Sequence, residues 1–225
     1  MTEDEIIADP LATIRNHLFT AVIGDVMDVM GHQNQFLPPQ IRPLDPKFQL
    51  VGRAMPVVEA DVTEPSAPGA PQFGLMFEAL DDLKPGEIYI CSGSHNDYAL
   101  WGELMTHRAR HLQANGAVLA GYVRDTDGIL AQEFPVFCTG SYAQDQGPRG
   151  TVTDFRCPIV FSNGTRVAPG DILVGDRDGV LVIPQEIEAQ VLVRSYEKVM
   201  GESKVRTAIL DGMSTAEAYR TFGIM

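Results

Sequence analysis

An arginine and an aspartate stand side by side at the end of an apolar run, AGYVRDTDGI, residues 120–129. Arg124 carries a planar fork of donors that grips carboxylates. Asp125 offers hard oxygen atoms suited to Mg²⁺ or Mn²⁺. Upstream runs Trp101-Gly102-Glu103-Leu104-Met105, where a helix is expected to begin. A helix N-terminus presents unpaired amides and a partial positive charge, both suited to a carboxylate. Gly102 lets a ligand approach the backbone closely. Brought together, these groups would bind a 2-oxo acid by its carboxylate and polarise its keto oxygen through a metal.

The connecting segments decide whether they meet. ALWGELMTHRARHLQANG reads as a helix from about Trp101, with Trp101, Met105, Ala109 and Leu112 on one face and Asn115-Gly116 as its stop. About 14 helical residues at ~1.5 Å each span roughly 20 Å. AVLAGYV reads as one buried strand, and at ~3.3 Å per residue it returns about the same distance. Arg124 and Asp125 are therefore expected back at the level of Gly102 and Glu103. Without that juxtaposition, an Arg-Asp pair after a strand is more often a turn or a surface ion pair.

The rest of the chain supplies a scaffold. Residues 11–31 read as one helix, with Leu11, Ile14, Leu18 and Val22 at helical spacing and Gly31 as its C-cap. FLPPQIRPLDP is extended or looped. LVGRAMPVVEADV is a strand pair or one bent strand, and TEPSAPGAP (63–71) a mobile loop. FGLMFEALDDL is a short helix, and EIYICSGS and PVFCTG are strands. Residues 157–184 form a meander, with hairpin signals at Asn163-Gly164 and Asp178-Gly179 and a turn at Pro169-Gly170. From Gln185 onward the chain is mostly helical. The expected class is α/β with a mixed sheet, one domain over 1–225 made of a core (15–184) and a helical arm (185–225).

Composition narrows the function. The chain has 225 residues, 44% hydrophobic and 21% charged, as in an ordinary globular protein. A net charge of -13 without a Lys/Arg cluster argues against nucleic acid. Cys91, Cys138 and Cys157 form no C-x-x-C pair and are expected as free thiols. MTEDEIIADP lacks the basic and apolar regions of a signal peptide, and no apolar run is long enough to span a membrane. A cytoplasmic protein is expected. His107 and His111, four apart, read as a solvated helix face, since no H-E-x-x-H pattern or third ligand accompanies them. Glu202 and Arg206, also four apart, read equally well as an exposed pair. Asp176–Gly179 reads as a hairpin rather than a calcium loop, Asp97 as the cap of a helix starting near Tyr98, and Trp101 as core.

WGELMTHRARHLQANGAVLAGYVRDTDGI resembles the core motif of the family that joins the class II pyruvate aldolases (4-hydroxy-4-methyl-2-oxoglutarate / 4-carboxy-4-hydroxy-2-oxoadipate aldolase) with the regulators of ribonuclease activity A. VGRAMPVV, VAPGDILVGDRDGVLVIP and EKVMGESKVRTAIL also match, so the resemblance covers most of residues 15–212. It implies a swivelling β/β/α-type α/β domain, assembled as trimers or hexamers with sites between subunits. It implies a lyase dependent on Mg²⁺ or Mn²⁺ that cleaves a 4-hydroxy-2-oxo acid to release pyruvate and decarboxylates oxaloacetate. Asp125 would ligate the metal, and Arg124 would contact the pyruvyl moiety. The amides around Glu103, Leu104 and Met105 would hold its carboxylate. Glu103 and, from a neighbouring subunit, Glu202 would orient metal-bound waters. The alternatives are a non-catalytic regulator binding a ribonuclease or other protein, and a lyase acting on another hydroxylated oxo or sugar acid.

Overall fold

The computed structural model describes residues 1–63, 72–95 and 97–223. These fall into two compact units, Met1–Gln33 with Glu186–Met225, and Asn34–Gln185. The first unit is helical. In α1 (Glu3–Ala8) Thr2 and Glu5 cap each other's backbone amides. α2 (Pro10–His17) starts on Asp9, whose carboxylate accepts from the Ala12 amide, with proline in the first turn. α3 (Thr20–Val29) ends as expected at Gly31, where φ is 87° and the His32 amide donates to Met27 O at 2.8 Å. The single helix expected over 11–31 is broken at Leu18 and Phe19, which are both extended. No glycine or proline marks that break.

The second unit carries β1 (Arg42–Pro43), β2 (Leu50–Asp61), α4 (Met76–Asp81), β3 (Glu87–Ser92), β4 (Ala99–Trp101), α5 (Glu103–His111), β5 (Gly116–Leu119) and β6 (Tyr122–Val123). It continues through α6 (Thr126–Leu130), β7 (Val136–Cys138), β8 (Gly140–Ser141), β9 (Gly150–Phe155), β10 (Ile159–Val160), β11 (Arg166–Val167), β12 (Ile172–Asp176) and β13 (Gly179–Ile183). The chain then completes the helical unit with α7 (Glu188–Leu210) and α8 (Thr215–Phe222). The loop expected over TEPSAPGAP lies, past Thr63, outside the described residues.

The main sheet is mixed, in the order β1-β7-β5-β3-β2-β12-β13, with β9 also on β2. Its middle is parallel, β2 to β3 to β5 to β7, and its two ends are antiparallel. The segment before β1 bridges onto β13, with Leu37 N donating to Val180 O and Val182 N to Gln35 O, each at 2.9 Å. One stretch of chain therefore touches both ends of the sheet and nearly closes it into a barrel. Both faces are buried. Ile88, Ile90, Val118 and Phe137 enter one core cluster, while Tyr89, Cys91, Leu119 and Cys138 enter the other. That double burial is why these strands read as continuous apolar runs rather than alternating ones. The cysteines form no disulfide. Among the described residues no helix is long and apolar enough to cross a membrane.

Several elements differ from expectation. Ala99–Trp101 is a strand, and the following helix starts only at Glu103. Asp97 therefore caps no helix. The helix stops at Gln113, which takes φ 62° while the Ala114 amide bonds Ala109 O at 3.0 Å. Gly116 instead opens β5, where a Cβ would meet Leu50 Cδ1 at 2.2 Å and Pro135 O at 2.6 Å. AVLAGYV is two strands, because the chain leaves the main sheet after Leu119 and joins a second sheet, β4-β6-β8. LVGRAMPVVEADV is one strand with a bulge between Val58 and Glu59.

The bulge holds a buried carboxyl. Glu59 is 3% exposed, and its Oε1 accepts from Gln146 Nε2 at 2.7 Å. Tyr98 Oη lies 3.5 Å from the same oxygen and 3.0 Å from Asp61 Oδ1. Burial, with the nearby Asp61 charge adding to it, pushes the Glu59 pKa up to about 8, although the Gln146 and Tyr98 bonds oppose the shift. Because the folded pKa lies above the unfolded one, ~4.3, folding retains a proton that the unfolded chain releases. That contribution is complete below pH ~4 and declines by up to about 1.4 kcal/mol per pH unit until pH reaches the folded pKa. Thermal melts of wild type are thus expected to lose stability from pH 5 to 8, whereas Glu59→Gln melts much more evenly across that range. Parallel pH curves for the two proteins would refute this account.

Candidate active site

The site grows from the small sheet. β4 and β6 run parallel with Trp101 paired to Val123. The next residues on each strand, Gly102 and Arg124, must therefore be neighbours. The Arg124 amide donates to Trp101 O at 3.0 Å. Trp101 fixes the start of α5: it is 1% exposed, and its Nε1 donates to Thr106 Oγ1 at 2.8 Å. The Thr106 hydroxyl in turn donates to Gly102 O at 3.1 Å. The Trp101 ring lies between Tyr89 and Phe134, with centroids 5.1 and 6.3 Å away. A rigid aromatic anchor thus sets where the helix begins.

The expected return of Arg124 and Asp125 to the helix start is observed. Both connecting elements are shorter than expected, nine helical residues and four in β5. The chain covers the rest of its return through β6, whose pairing with β4 sets Arg124 beside Gly102. Asp125 takes a left-handed conformation, φ 56° and ψ 39°, which aspartate tolerates better than most residues. Although it stands at the start of α6, its side chain caps nothing there. It turns to α5 instead, where the Glu103 amide donates to Asp125 Oδ2 at 3.4 Å. Gly102 leaves room for that carboxylate, since a Cβ at 102 would sit 2.8 Å from Asp125 Oδ2. α5 has no side-chain cap of its own.

Arg124 Nη1 pairs with Asp145 Oδ1 at 2.9 Å, and its Nε lies 3.9 Å from Asp125 Oδ2. Both partners are partly solvated, so the Arg124–Asp145 pair contributes roughly 0–1 kcal/mol and is easily exchanged. The Glu103 carboxylate lies against α6, where a Cβ on Gly128 would come within 2.5 Å of its Cδ, and His107 Nε2 sits 3.5 Å away. Gly102, Leu104, Met105, Arg124 and Asp125 line one cavity of about 190 Å³. Glu202 does not line it. It belongs to the helical unit, where its carboxylate is 3.7 Å from Lys198 Nζ, which also reaches Asp25 at 2.7 Å.

A hard divalent ion is held by oxygen donors. No group of three or more His, Cys, Asp or Glu side chains gathers among the described residues. The Asp125 carboxylate is about half exposed and faces the glycine cradle. One carboxylate completed by waters and a ligand's oxygens is a mode that Mg²⁺ accepts. Asp125 therefore fits such an ion.

Sequence reasoning missed other parts of the wall. Asp145 and Gln146 come from the loop after β8, in SYAQDQGPRG, where no spacing announces a role. Phe73, Met76, Phe77 and Leu100 also line the cavity. Phe73 has φ 74°, a strained state for a bulky residue that costs of order 1–3 kcal/mol. It is clamped to β9, with Val152 N donating to Phe73 O at 3.1 Å and Leu75 N to Val152 O at 2.9 Å.

Comparison with known proteins agrees with this architecture. "Protein DlpA" of Legionella pneumophila is 30% identical over 88% of this chain, although the chain spans only 31% of that protein's length. A Halalkalibacterium halodurans protein named "Putative 4-hydroxy-4-methyl-2-oxoglutarate aldolase" is 30% identical over 89% of both chains. A Streptomyces coelicolor structure, described as an unusual member of the RNase ES inhibitor RraA protein family, superposes with a TM-score of 0.75 over 87% of this chain and 94% of its own, at 17% identity. That last likeness concerns the fold. The profile described as "RraA-like: Aldolase/RraA" matches residues 20–182. With the strand-end arginine and aspartate, the matching fold and this profile in agreement, the chain belongs to the RraA-like (aldolase/RraA) family.

Proposed function

We propose that this protein is a lyase that cleaves a 4-hydroxy-2-oxo acid by a retro-aldol step and releases pyruvate, with oxaloacetate decarboxylation as a side activity. The observation that carries the reading is the convergence of Arg124, Asp125 and the start of α5, where Gly102 offers no side-chain cap, on one cavity. The name of the H. halodurans relative supports the same chemistry. The α5 amides around Glu103, Leu104 and Met105 receive the substrate carboxylate. Arg124 exchanges Asp145 for the pyruvyl oxygens and balances the negative charge that forms on them. Mg²⁺ or Mn²⁺ on Asp125 would supply Lewis-acid charge at the keto oxygen.

The proton balance falls to the acidic side chains. Glu103, whose carboxylate lies against α6 and is not among the lining residues, acts through a water that it positions, and this water takes the proton of the C4 hydroxyl. The C3–C4 bond then breaks, C4 leaves as a carbonyl compound, and the electron pair forms the enolate of pyruvate. The proton taken from the hydroxyl returns to C3 through the same water, which completes pyruvate. Oxaloacetate gives the same enolate when its C3–C4 bond breaks with loss of CO₂. Glu202, from a neighbouring subunit of a trimer or hexamer, is proposed as a second orienting carboxylate. A non-catalytic regulator that binds a ribonuclease is the competing reading, supported by the description of the S. coelicolor neighbour.

Pyruvate release from 4-hydroxy-4-methyl-2-oxoglutarate and from oxaloacetate, assayed with Mg²⁺, with Mn²⁺ and with EDTA, tests the reading. Turnover should vanish with EDTA, and Asp125→Ala should lower kcat/KM roughly 10²-fold or more. Absence of turnover in folded, metal-supplied protein on any 4-hydroxy-2-oxo acid would remove the lyase reading in favour of the regulator. Two further variants probe geometry. Arg124→Lys keeps the charge but loses the fork, and should reduce kcat/KM by roughly tenfold or more. Gly102→Ala places a Cβ 2.8 Å from Asp125 Oδ2, and should depress activity while the melting temperature changes little; wild-type kinetics in that variant would refute the cradle's role.

A further inference from the structure

The cavity is lined by two chemically different sets of residues. Arg124, Asp125, Asp145 and Gln146 are polar. Much of the rest is apolar, with Phe73, Met76 and Phe77 from the α4 region and Leu104 and Met105 from α5. Phe73 and Phe77 meet edge to face, with centroids 5.7 Å apart. Two features of this apolar lining call for an explanation beyond core packing. Leu104 is 81% and Phe77 55% exposed, so their apolar surface meets solvent at the cavity mouth. Phe73 is held in a left-handed backbone conformation by its clamp onto β9, and strain of this kind, maintained against a bulky side chain, tends to mark ligand sites.

The charges decide what the apolar lining can accept. Arg124 is the sole cation among the described lining residues, and it stands beside Asp125 and Asp145. Arg149 is close in sequence, but its Nη1 donates to Asp145 O at 3.0 Å and it does not line the cavity. The residues outside the described set, 64–71, 96 and 224–225, include no Lys, Arg or His. A carboxylate placed against Phe73 and Phe77 meets no cation among the described lining residues other than Arg124, whereas an apolar group would cover apolar surface otherwise left to water. The compound in the relative's name, 4-hydroxy-4-methyl-2-oxoglutarate, carries such a second carboxylate on C4.

We infer that the cavity selects, among 4-hydroxy-2-oxo acids, those whose C4 substituent is uncharged and apolar, such as a branched alkyl or phenyl group. The inference rests on the proposed retro-aldol reading. The oxo-acid head sits at Arg124, and the C4 substituent lies along Phe73, Phe77 and Leu104. The aldehyde or ketone released with pyruvate is then itself apolar. A cavity of about 190 Å³ is smaller than the ~300–1,000 Å³ of sites for drug-sized ligands, which limits the substituent to a few carbons or one ring.

The test compares kcat/KM, with Mg²⁺ or Mn²⁺, for 4-hydroxy-5-methyl-2-oxohexanoate, 4-hydroxy-2-oxo-4-phenylbutanoate and 4-hydroxy-4-methyl-2-oxoglutarate. Oxaloacetate decarboxylation serves as a readout of the polar residues, because oxaloacetate has no substituent beyond the bond that breaks. The expected result is at least a tenfold preference for an apolar substrate over the dicarboxylate. Phe77→Arg and, independently, Leu104→Arg, both at exposed positions, should move that ratio at least tenfold toward the dicarboxylate, with folding checked by circular dichroism. Oxaloacetate turnover together with equal or better cleavage of the dicarboxylate would overturn this inference and leave the lyase reading standing. An apolar preference that neither arginine variant shifts would overturn the assignment to this apolar lining. No turnover of any of the four compounds would overturn both.

Discussion

Everything at this site depends on one register: β4 and β6 run parallel, and Trp101 pairs with Val123. A shift of one residue would turn each side chain to the opposite face of the small sheet. With the register as it is, Gly102 and Arg124 leave the sheet together, and α5 and α6 both begin at that edge. The register is secured from behind by a buried tryptophan whose ring is packed and whose indole nitrogen is bonded to Thr106. The chemical groups are partly exposed, while the residue that places them is not. This division of labour suits a site that needs rigid geometry and also access for a ligand.

Much of this was legible from residue types. The polar part of the site followed from Arg124, Asp125 and the glycine before a helix start. The main sheet followed from long apolar runs, because strands buried on both faces give that signature. The expected juxtaposition held although the helix is shorter than expected and the strand is split, because β6 pairs with β4 directly beside the helix start. Other features left no local trace. The break at Leu18–Phe19 has helical periodicity running through it and no glycine or proline to announce it. The strand at Ala99–Trp101 has no alternation over its three residues and merges with the helix pattern beyond it. Gln113 and Phe73 adopt positive φ without being glycine or asparagine, so propensity gives no warning; Gln113 turns the chain where the Ala114 amide closes the end of α5 on Ala109 O, and Phe73 is held by its bond from Val152. Asp145 and Gln146 reach the cavity through a loop whose path depends on contacts distant in sequence, including Gln146 to Glu59 across the bulge of β2.

The two sets of lining residues are carried by different kinds of structure. Arg124 and Asp125 come from a strand terminus and a helix start at the small sheet, where pairing leaves little freedom. The apolar set comes largely from residues 73–77, around the start of α4, and from α5. Of these, Phe77 and Leu104 are exposed and stand outside the core cluster that holds Trp101. A fold arranged in this way can keep one reaction and vary what it acts upon, since function resides in sites carried by folds rather than in folds themselves.

The Arg124–Asp145 ion pair bears on which anions the cavity attracts. An arginine that already holds a carboxylate offers little net attraction to small inorganic anions such as chloride or phosphate. In the proposed reading an incoming acid replaces Asp145 with a planar group matched to the fork, its remaining oxygens met by the amides of α5. The ion pair, worth roughly 0–1 kcal/mol, holds the guanidinium at the cavity wall and gives way readily to such a group.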